Sequence, residues 1–129
     1  MYSNINRPTY DFGNGRIITF RSNWEINYAF YLEWLKKNKE IKEWEYEPER
    51  YYFDAKEGDM TIRIGDYLPD FRVTKNDGTK YLIEIKGYKQ GVRKLQRMKK
   101  YHKDIPLELI TSKEYNALKK QVGKMLNFY

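Results

Sequence analysis

Residues 80–86, Lys80-Tyr81-Leu82-Ile83-Glu84-Ile85-Lys86, are a short apolar run with two charges set into its second half. Side chains alternate across a strand, so Tyr81, Ile83 and Ile85 share one face while Leu82, Glu84 and Lys86 share the other. A strand this apolar belongs near the centre of a sheet, where both faces are covered. Its second face instead presents a carboxylate and an ammonium, groups seldom buried without a partner or a metal. Fourteen residues before Glu84, Asp70 opens a second strand, Asp70-Phe71-Arg72-Val73-Thr74. Between the two, Asn76-Asp77-Gly78 has the chemistry of a hairpin turn. Such a hairpin brings Asp70 beside Glu84 at one end of the sheet. Adjacent carboxylates repel each other, and a divalent cation relieves the repulsion. Ligation by oxygen alone suits Mg2+, with Mn2+ able to substitute.

Downstream, residues 90–103 read as a helix with Val92, Leu95, Met98 and Tyr101 on its inner side. A strand over 107–110 follows. Thr111 and Glu114 then form a capping box for a last helix that turns Tyr115, Leu118, Val122 and Met125 inward. Upstream, Ser22 and Glu25 make a similar cap for a helix carrying Trp24, Tyr28, Tyr31, Leu32 and Leu35 at helical spacing. Residues 16–20 (RIITF) precede it as a short strand, and residues 1–15 form an N-terminal arm with turn signals at Pro8 and Gly13-Asn14-Gly15. Further strands are expected at 43–47 (EWEYE), 51–54 and 61–64. The order is helix, strands largely in hairpins, helix, strand, helix. That predicts a mixed α/β fold, a central sheet flanked by helices, in a single domain over residues 16–129.

The chain has 129 residues, no cysteine and one histidine. Disulfide frameworks, thiolate chemistry and imidazole-rich zinc centres are thereby excluded. His102 is expected at a helix end, not as a catalytic base. The 22 aromatic residues supply a core despite a charged composition, since each ring buries roughly 150–250 Å². Net charge is +7, and the distribution is uneven. Lys89, Arg93, Lys94, Arg97, Lys99, Lys100 and Lys103 lie within residues 88–103 without one acid, and the remaining 18 basic residues balance the 18 acidic ones. A cationic stripe on a neutral body predicts a polyanionic partner, nucleic acid before membrane. The longest apolar run, residues 28–32, is far short of the ~20 that span a bilayer, and residues 1–15 lack a secretory apolar stretch. A soluble, cytoplasmic protein is expected, with neither a membrane partner nor a nucleotide cofactor.

Pro69-Asp70 followed by Glu84-Ile85-Lys86 resembles the signature of PD-(D/E)xK nucleases, the restriction-endonuclease-like superfamily. Phe20-Arg21-Ser22-Asn23-Trp24-Glu25 ahead of it, with Tyr67-Leu68-Pro69-Asp70-Phe71 and Glu84-Ile85-Lys86-Gly87, resembles the phage endonuclease I type of Holliday-junction resolvase. Residues 21–25, Glu33-Trp34-Leu35 and residues 83–86 also resemble the head-completion nucleases of large tailed phages. A more distant similarity is to the nuclease subunit of heteromeric cut-and-paste transposases. These resemblances cover residues 18–88.

The resemblance implies a restriction-endonuclease-like core and a Mg2+-dependent, phage-encoded endodeoxyribonuclease working in the host cytoplasm. Asp70, Glu84 and the main-chain carbonyl of Ile85 would hold a metal. Glu25 would join a second metal or orient the attacking water, unless it only completes the cap with Ser22; both roles are compatible. Lys86 would help deprotonate or position that water. Arg21 would contact a phosphate or neutralise neighbouring acids. Glu43, Glu45, Glu47 and Glu49 read as the solvated face of strands, with Glu47 close enough to serve as a spare ligand. Lys89, Arg93, Lys94, Arg97 and Lys100 would follow the DNA backbone. The expected activity is structure-selective, junction-resolving or nicking, and resolution would need a homodimer. The alternatives are a head-completion nuclease that trims DNA, or a catalytically silent DNA-binding or virion protein of the same fold.

Overall fold

The computed structural model describes residues 7–85 and 89–129. Its elements run β1 (Thr9–Asp11), β2 (Ile17–Thr19), α1 (Asn23–Lys37), β3 (Glu43–Tyr46), β4 (Tyr51–Glu57), β5 (Met60–Tyr67), β6 (Phe71–Thr74), β7 (Lys80–Ile85), α2 (Lys89–Tyr101), β8 (Leu107–Ile110) and α3 (Ser112–Val122). The central sheet has the order β3-β6-β7-β8. β6 is antiparallel to both β3 and β7, while β8 lies parallel to β7. The fold is thus mixed α/β with a central mixed sheet. A parallel neighbour needs a crossover, and α2 supplies it.

β7 has covered neighbours on both faces. Ile83 and Ile85 join Ile26, Ala29 and Leu32 of α1 and Tyr115 of α3 in one cluster. Leu82, one residue out of phase, joins Phe53, Tyr67, Met98 and Leu107 in a second cluster. The period of two therefore sends one strand into two cores. Gly78, at φ 90°, takes the left-handed position of the β6–β7 connection, and Asp77 Oδ1 accepts from Thr79 N–H and Oγ1–H. β4 and β5 form a separate ribbon that carries a bulge at Phe53/Asp54. Its base is packed against the sheet through Phe53 and Tyr67, with Tyr51 partly buried beside them.

Helix α1 is buried on more sides than its aromatic spacing predicts. Residues Glu25, Ile26, Asn27, Tyr28 and Ala29 are all buried, whereas Trp24, Tyr31 and Leu35 are only partly covered. The reason is extra cover. β1 and β2 pair in their own hairpin, and Phe12 and Ile18 pack on the same core. The stretch expected to be an arm therefore contains β1 and Phe12. Buried Asn27 donates to Tyr115 Oη at 2.8 Å and accepts from Tyr129 N–H at 2.7 Å, tying the C-terminal residues to α1. Trp24 stacks on Tyr115, ring centroids 4.0 Å apart.

Both caps exist, in different forms. Thr111 and Glu114 make the full capping box. Ser22 Oγ accepts from Glu25 N–H, but the Glu25 carboxylate reaches past it to Arg21 N–H. The expected inner side of the basic helix is corrected at one place: Val92 is exposed, while Met98 is the buried anchor. Ile83 is fully buried, and Ile62 on the β5 ribbon is 38% exposed. Ile83→Ala should cost about 2–5 kcal/mol in urea unfolding. Ile62→Ala should cost under about 1 kcal/mol.

Candidate active site

Asp70 sits one residue ahead of β6, so it precedes the strand it is expected to open. Its main-chain carbonyl accepts from Glu47 N–H at 2.8 Å. Its side chain points into the protein, where Oδ2 accepts from the main-chain N–H of Ile85 at 2.7 Å. β6 pairs with β7 up to Phe71 opposite Ile83, so this side-chain bond continues the hairpin one step beyond the ladder. That step sets Asp70 against the end of β7 that carries Glu84.

Glu84 lies on the same face as Leu82, over the second core. Its Oε1 accepts from the Tyr67 hydroxyl at 2.6 Å, and Lys94 Nζ lies 3.4 Å from its Oε2. The third carboxylate comes from α1. Glu25 is 1% exposed, and its Oε1 accepts from the Tyr46 hydroxyl and from Arg21 N–H. Three chain segments thus bring Glu25, Asp70 and Glu84 together at one end of the sheet. Each carboxylate accepts a hydrogen bond: from a phenol for Glu25 and Glu84, from the backbone for Asp70.

The electrostatics follow. Burial, then the charges of Glu84 and Glu25, raise the Asp70 carboxyl well above its usual range, against the opposing effects of Ile85 N–H and Lys94. Burial and the neighbouring Glu84 charge push the Tyr67 hydroxyl up, and burial and the bond to Glu25 do the same to Tyr46. Both phenols therefore remain proton donors to their carboxylates at neutral pH. Sequence reasoning misses the roles of Tyr46 and Tyr67. The available signals are slight: Tyr46 stands on the expected strand 43–47 with Trp44, and Tyr67 lies inside the Tyr67-Leu68-Pro69-Asp70-Phe71 segment.

The other expected site residues are distributed unevenly. Arg21 pairs with Glu47 at 2.7 Å, its exposed guanidinium within reach of the charges of Glu25 and Asp70. Arg72 pairs with Glu45 and Glu49, and Lys36 with Glu43. The acids of β3 and the residues after it therefore hold specific cations and are not simply a solvated face. Arg93 and Lys100 are exposed on α2. Arg97 lies under the ribbon, its guanidinium carbon 5.8 Å from the Phe53 ring centroid, where a Cβ on Gly65 would meet Nη1 at 2.5 Å. Lys94 and Arg97 thus face the site and the ribbon, away from the outer side of the helix where Arg93 and Lys100 stand. Lys86 lies outside the described residues, as does the Lys89 side chain. His102 ends the helix with Nε2 at 2.7 Å from the Tyr52 carbonyl oxygen, remote from the carboxylates in contact and role.

Among the described residues, no group of three or more acidic or histidine side chains is gathered closely enough to hold an ion. Asp70 and Glu84 remain a pair with hard oxygen donors. Mg2+ commonly uses one or two carboxylates and completes its shell with water, so the donor set suits that ion.

Fold and site together define a mixed α/β architecture, consistent with a nuclease-like core, with acidic side chains at one end of its central sheet. The chain belongs to the family described as "Protein of unknown function (DUF1064)", whose model matches residues 14–125. It is also similar to the head completion nuclease of Enterobacteria phage T4, 38% identical over 79 residues, which make up 60% of this chain and 48% of that protein. The chain therefore spans about half the length of the curated relative it matches. No solved structure matches it. No helix among the described residues is long and apolar enough to cross a membrane.

The raised Asp70 carboxyl has a consequence for stability. Its unfolded value is near 3.8, so above that pH the folded state holds a proton that the unfolded chain has released. Stability in EDTA should therefore fall as pH rises from the acid range towards neutrality. Asp70→Asn keeps an acceptor for Ile85 N–H and removes the ionisation. It should raise stability at neutral pH by about 1–3 kcal/mol and flatten this part of the pH profile in urea unfolding.

Proposed function

We propose that this protein is a divalent-metal-dependent phage endonuclease that hydrolyses DNA phosphodiester bonds. The observation that carries the reading is the buried Asp70 carboxyl, bound by Ile85 N–H and within reach of the charges of Glu84 and Glu25. Carboxylates crowded in this way cost stability unless a cation or a proton neutralises them. A fold has little reason to retain them for binding alone, which weighs against a catalytically silent protein. The similarity to the T4 head completion nuclease supports the same activity.

Asp70, Glu84 and the Ile85 carbonyl would hold Mg2+, with Mn2+ able to replace it. Bound there, the ion supplies Lewis acidity, easing deprotonation of water and offsetting charge on the phosphate. The chain supplies the rest. Glu25, fixed by Tyr46 and Arg21 N–H, orients the attacking water. Lys86 assists its deprotonation and balances charge on the phosphorane. In-line attack on phosphorus breaks the bond to the 3′ oxygen, leaving 5′-phosphate and 3′-hydroxyl ends. Arg21 stands beside the carboxylates to meet a phosphate, and Arg93 and Lys100 engage the backbone farther out. Between the two biological settings, similarity to the T4 protein favours DNA processing at head completion over junction resolution.

A panel of supercoiled plasmid, four-way junction, linear duplex and single strand, each with Mg2+ or EDTA, tests the reading. Cleavage should require Mg2+ and vanish in Asp70→Asn and Glu84→Ala, while gel shifts show DNA affinity near wild type. Lys86→Ala should slow cleavage by at least ~100-fold. Wild-type cleavage by Asp70→Asn would remove the basis for the site. Preference for the junction, with paired nicks by a dimer, would restore the resolvase alternative.

The outer face of α2 allows a separate measurement. Arg93→Glu with Lys100→Glu should weaken binding to every DNA sequence. For each phosphate that the helix no longer neutralises, the log–log salt slope should drop by about 0.9 on duplex DNA. An unchanged slope would make that face a solvated surface.

A further inference from the structure

Lys94 stands apart from the other cations of α2. It lies in the second turn of α2, the helix that follows β7 in the chain. Its ammonium is 3.4 Å from Glu84 Oε2 and 4.9 Å from the centroid of the Tyr67 ring. The two oxygens of Glu84 are therefore held unequally. Oε1 accepts a short bond from the Tyr67 hydroxyl at 2.6 Å, whereas among the described residues Oε2 has the longer contact with Lys94. Tyr67 fixes the carboxylate in place, and the face of its ring shelters the ammonium by a cation–π contact. The Lys94 side chain is 35% exposed and that of Glu84 14%, so the lysine is the more solvent-exposed member of the pair. Arg93 and Lys100 make no such approach to the acidic residues; no ion pair joins either to an acid among the described residues.

We infer that Lys94 is an active-site residue: the resident counter-ion of Glu84, competing with a divalent cation for Oε2 and contacting the substrate phosphate once displaced. The inference rests on the metal-site reading of Asp70 and Glu84. It follows from charge and place. An ammonium and a divalent ion repel each other and claim the same oxygen, so ion binding requires Lys94 to give way. The four-carbon stem lets it do so without moving α2, and the nearest anion then available is the phosphate that the site cuts. Lys94 thereby neutralises Glu84 while no ion is bound, which limits the repulsion with Asp70.

The test uses the full chain with Mn2+ titrated calorimetrically and by thermal shift. Lys94→Met keeps most of the length of the stem and removes the charge. It should bind Mn2+ about 10-fold more tightly, because a repelling charge a few ångströms away is gone. Its cleavage at saturating Mn2+ should nevertheless fall by ~10-fold or more. Lys94→Arg should return Mn2+ affinity towards wild type. Lys99→Met, at an exposed lysine of the same helix, should leave Mn2+ affinity unaltered. Unchanged or weaker Mn2+ binding by Lys94→Met would overturn the inference and leave Lys94 as a backbone contact. Asp70→Asn separates the two readings. If it does not weaken Mn2+ binding, the metal site itself is wrong. If it does, and Lys94→Met has no effect, only the role of Lys94 falls.

Discussion

The hydrogen bond from Ile85 N–H to Asp70 Oδ2 is the joint on which the site depends. It uses a main-chain donor at the end of β7, beyond the last β6 pair, to seat a side chain from the residue before β6. The backbone conformation of the hairpin therefore sets the position of the carboxylate more firmly than any rotamer would. The bond also requires the hairpin register to be right, since a slip of one residue would exchange the two faces of β7. Glu84 would then face the α1 core and Ile83 or Ile85 the second cluster. Packing on both faces thus defends the geometry of the acidic residues, and Gly78 with the Asp77 turn closes the connection at the matching length.

Helix α1 makes a second joint of the same kind. It buries three polar side chains, Glu25, Asn27 and Glu33, each facing a different neighbour. Glu25 meets Tyr46 of β3, Asn27 meets Tyr115 and Tyr129, and Glu33 meets Arg16 and the Trp44 indole. Burial alone would favour the neutral form of Glu33; the bonds from Arg16 and Trp44 outweigh it and hold the carboxyl below its usual range. Buried polar groups with specific partners leave a helix little freedom to slide or rotate. Because Glu25 belongs to this set, the network that orients α1 also fixes the carboxylate whose charge reaches Asp70.

The second core has a different task. Phe53, Tyr67, Leu82, Met98 and Leu107 join the ribbon base to α2 across the face of β7. They are few, and they leave the outer ribbon exposed at Met60, Ile62 and Ile64. What they secure is the position of Tyr67 and Lys94 on either side of Glu84. Gly65 contributes by its missing side chain, which leaves room for the Arg97 guanidinium against the ribbon. The basic helix consequently divides its charges: Lys94 and Arg97 turn inward, Arg93 and Lys100 outward.

The elements, and the placing of Asp70 near Glu84, are legible in the chain before it folds. Alternation in KYLIEIK, the turn chemistry of Asn76-Asp77-Gly78, the two serine or threonine caps and the helical spacing of the apolar residues are local signals, written within a few positions of one another. They are enough to set Asp70 beside Glu84 and to order the helices and strands. Which donors hold those acids is a matter of long-range packing. Tyr67 lies 17 residues from Glu84, Tyr46 lies 21 from Glu25, and Asn27 lies 88 from Tyr115. No periodicity encodes such pairings, because they exist only after separate elements have packed. The same holds for the basic helix. Its charge is legible from composition, but whether a given lysine faces solvent or a carboxylate depends on the rotation of α2 about its axis, which Met98 and the cover of the second core decide.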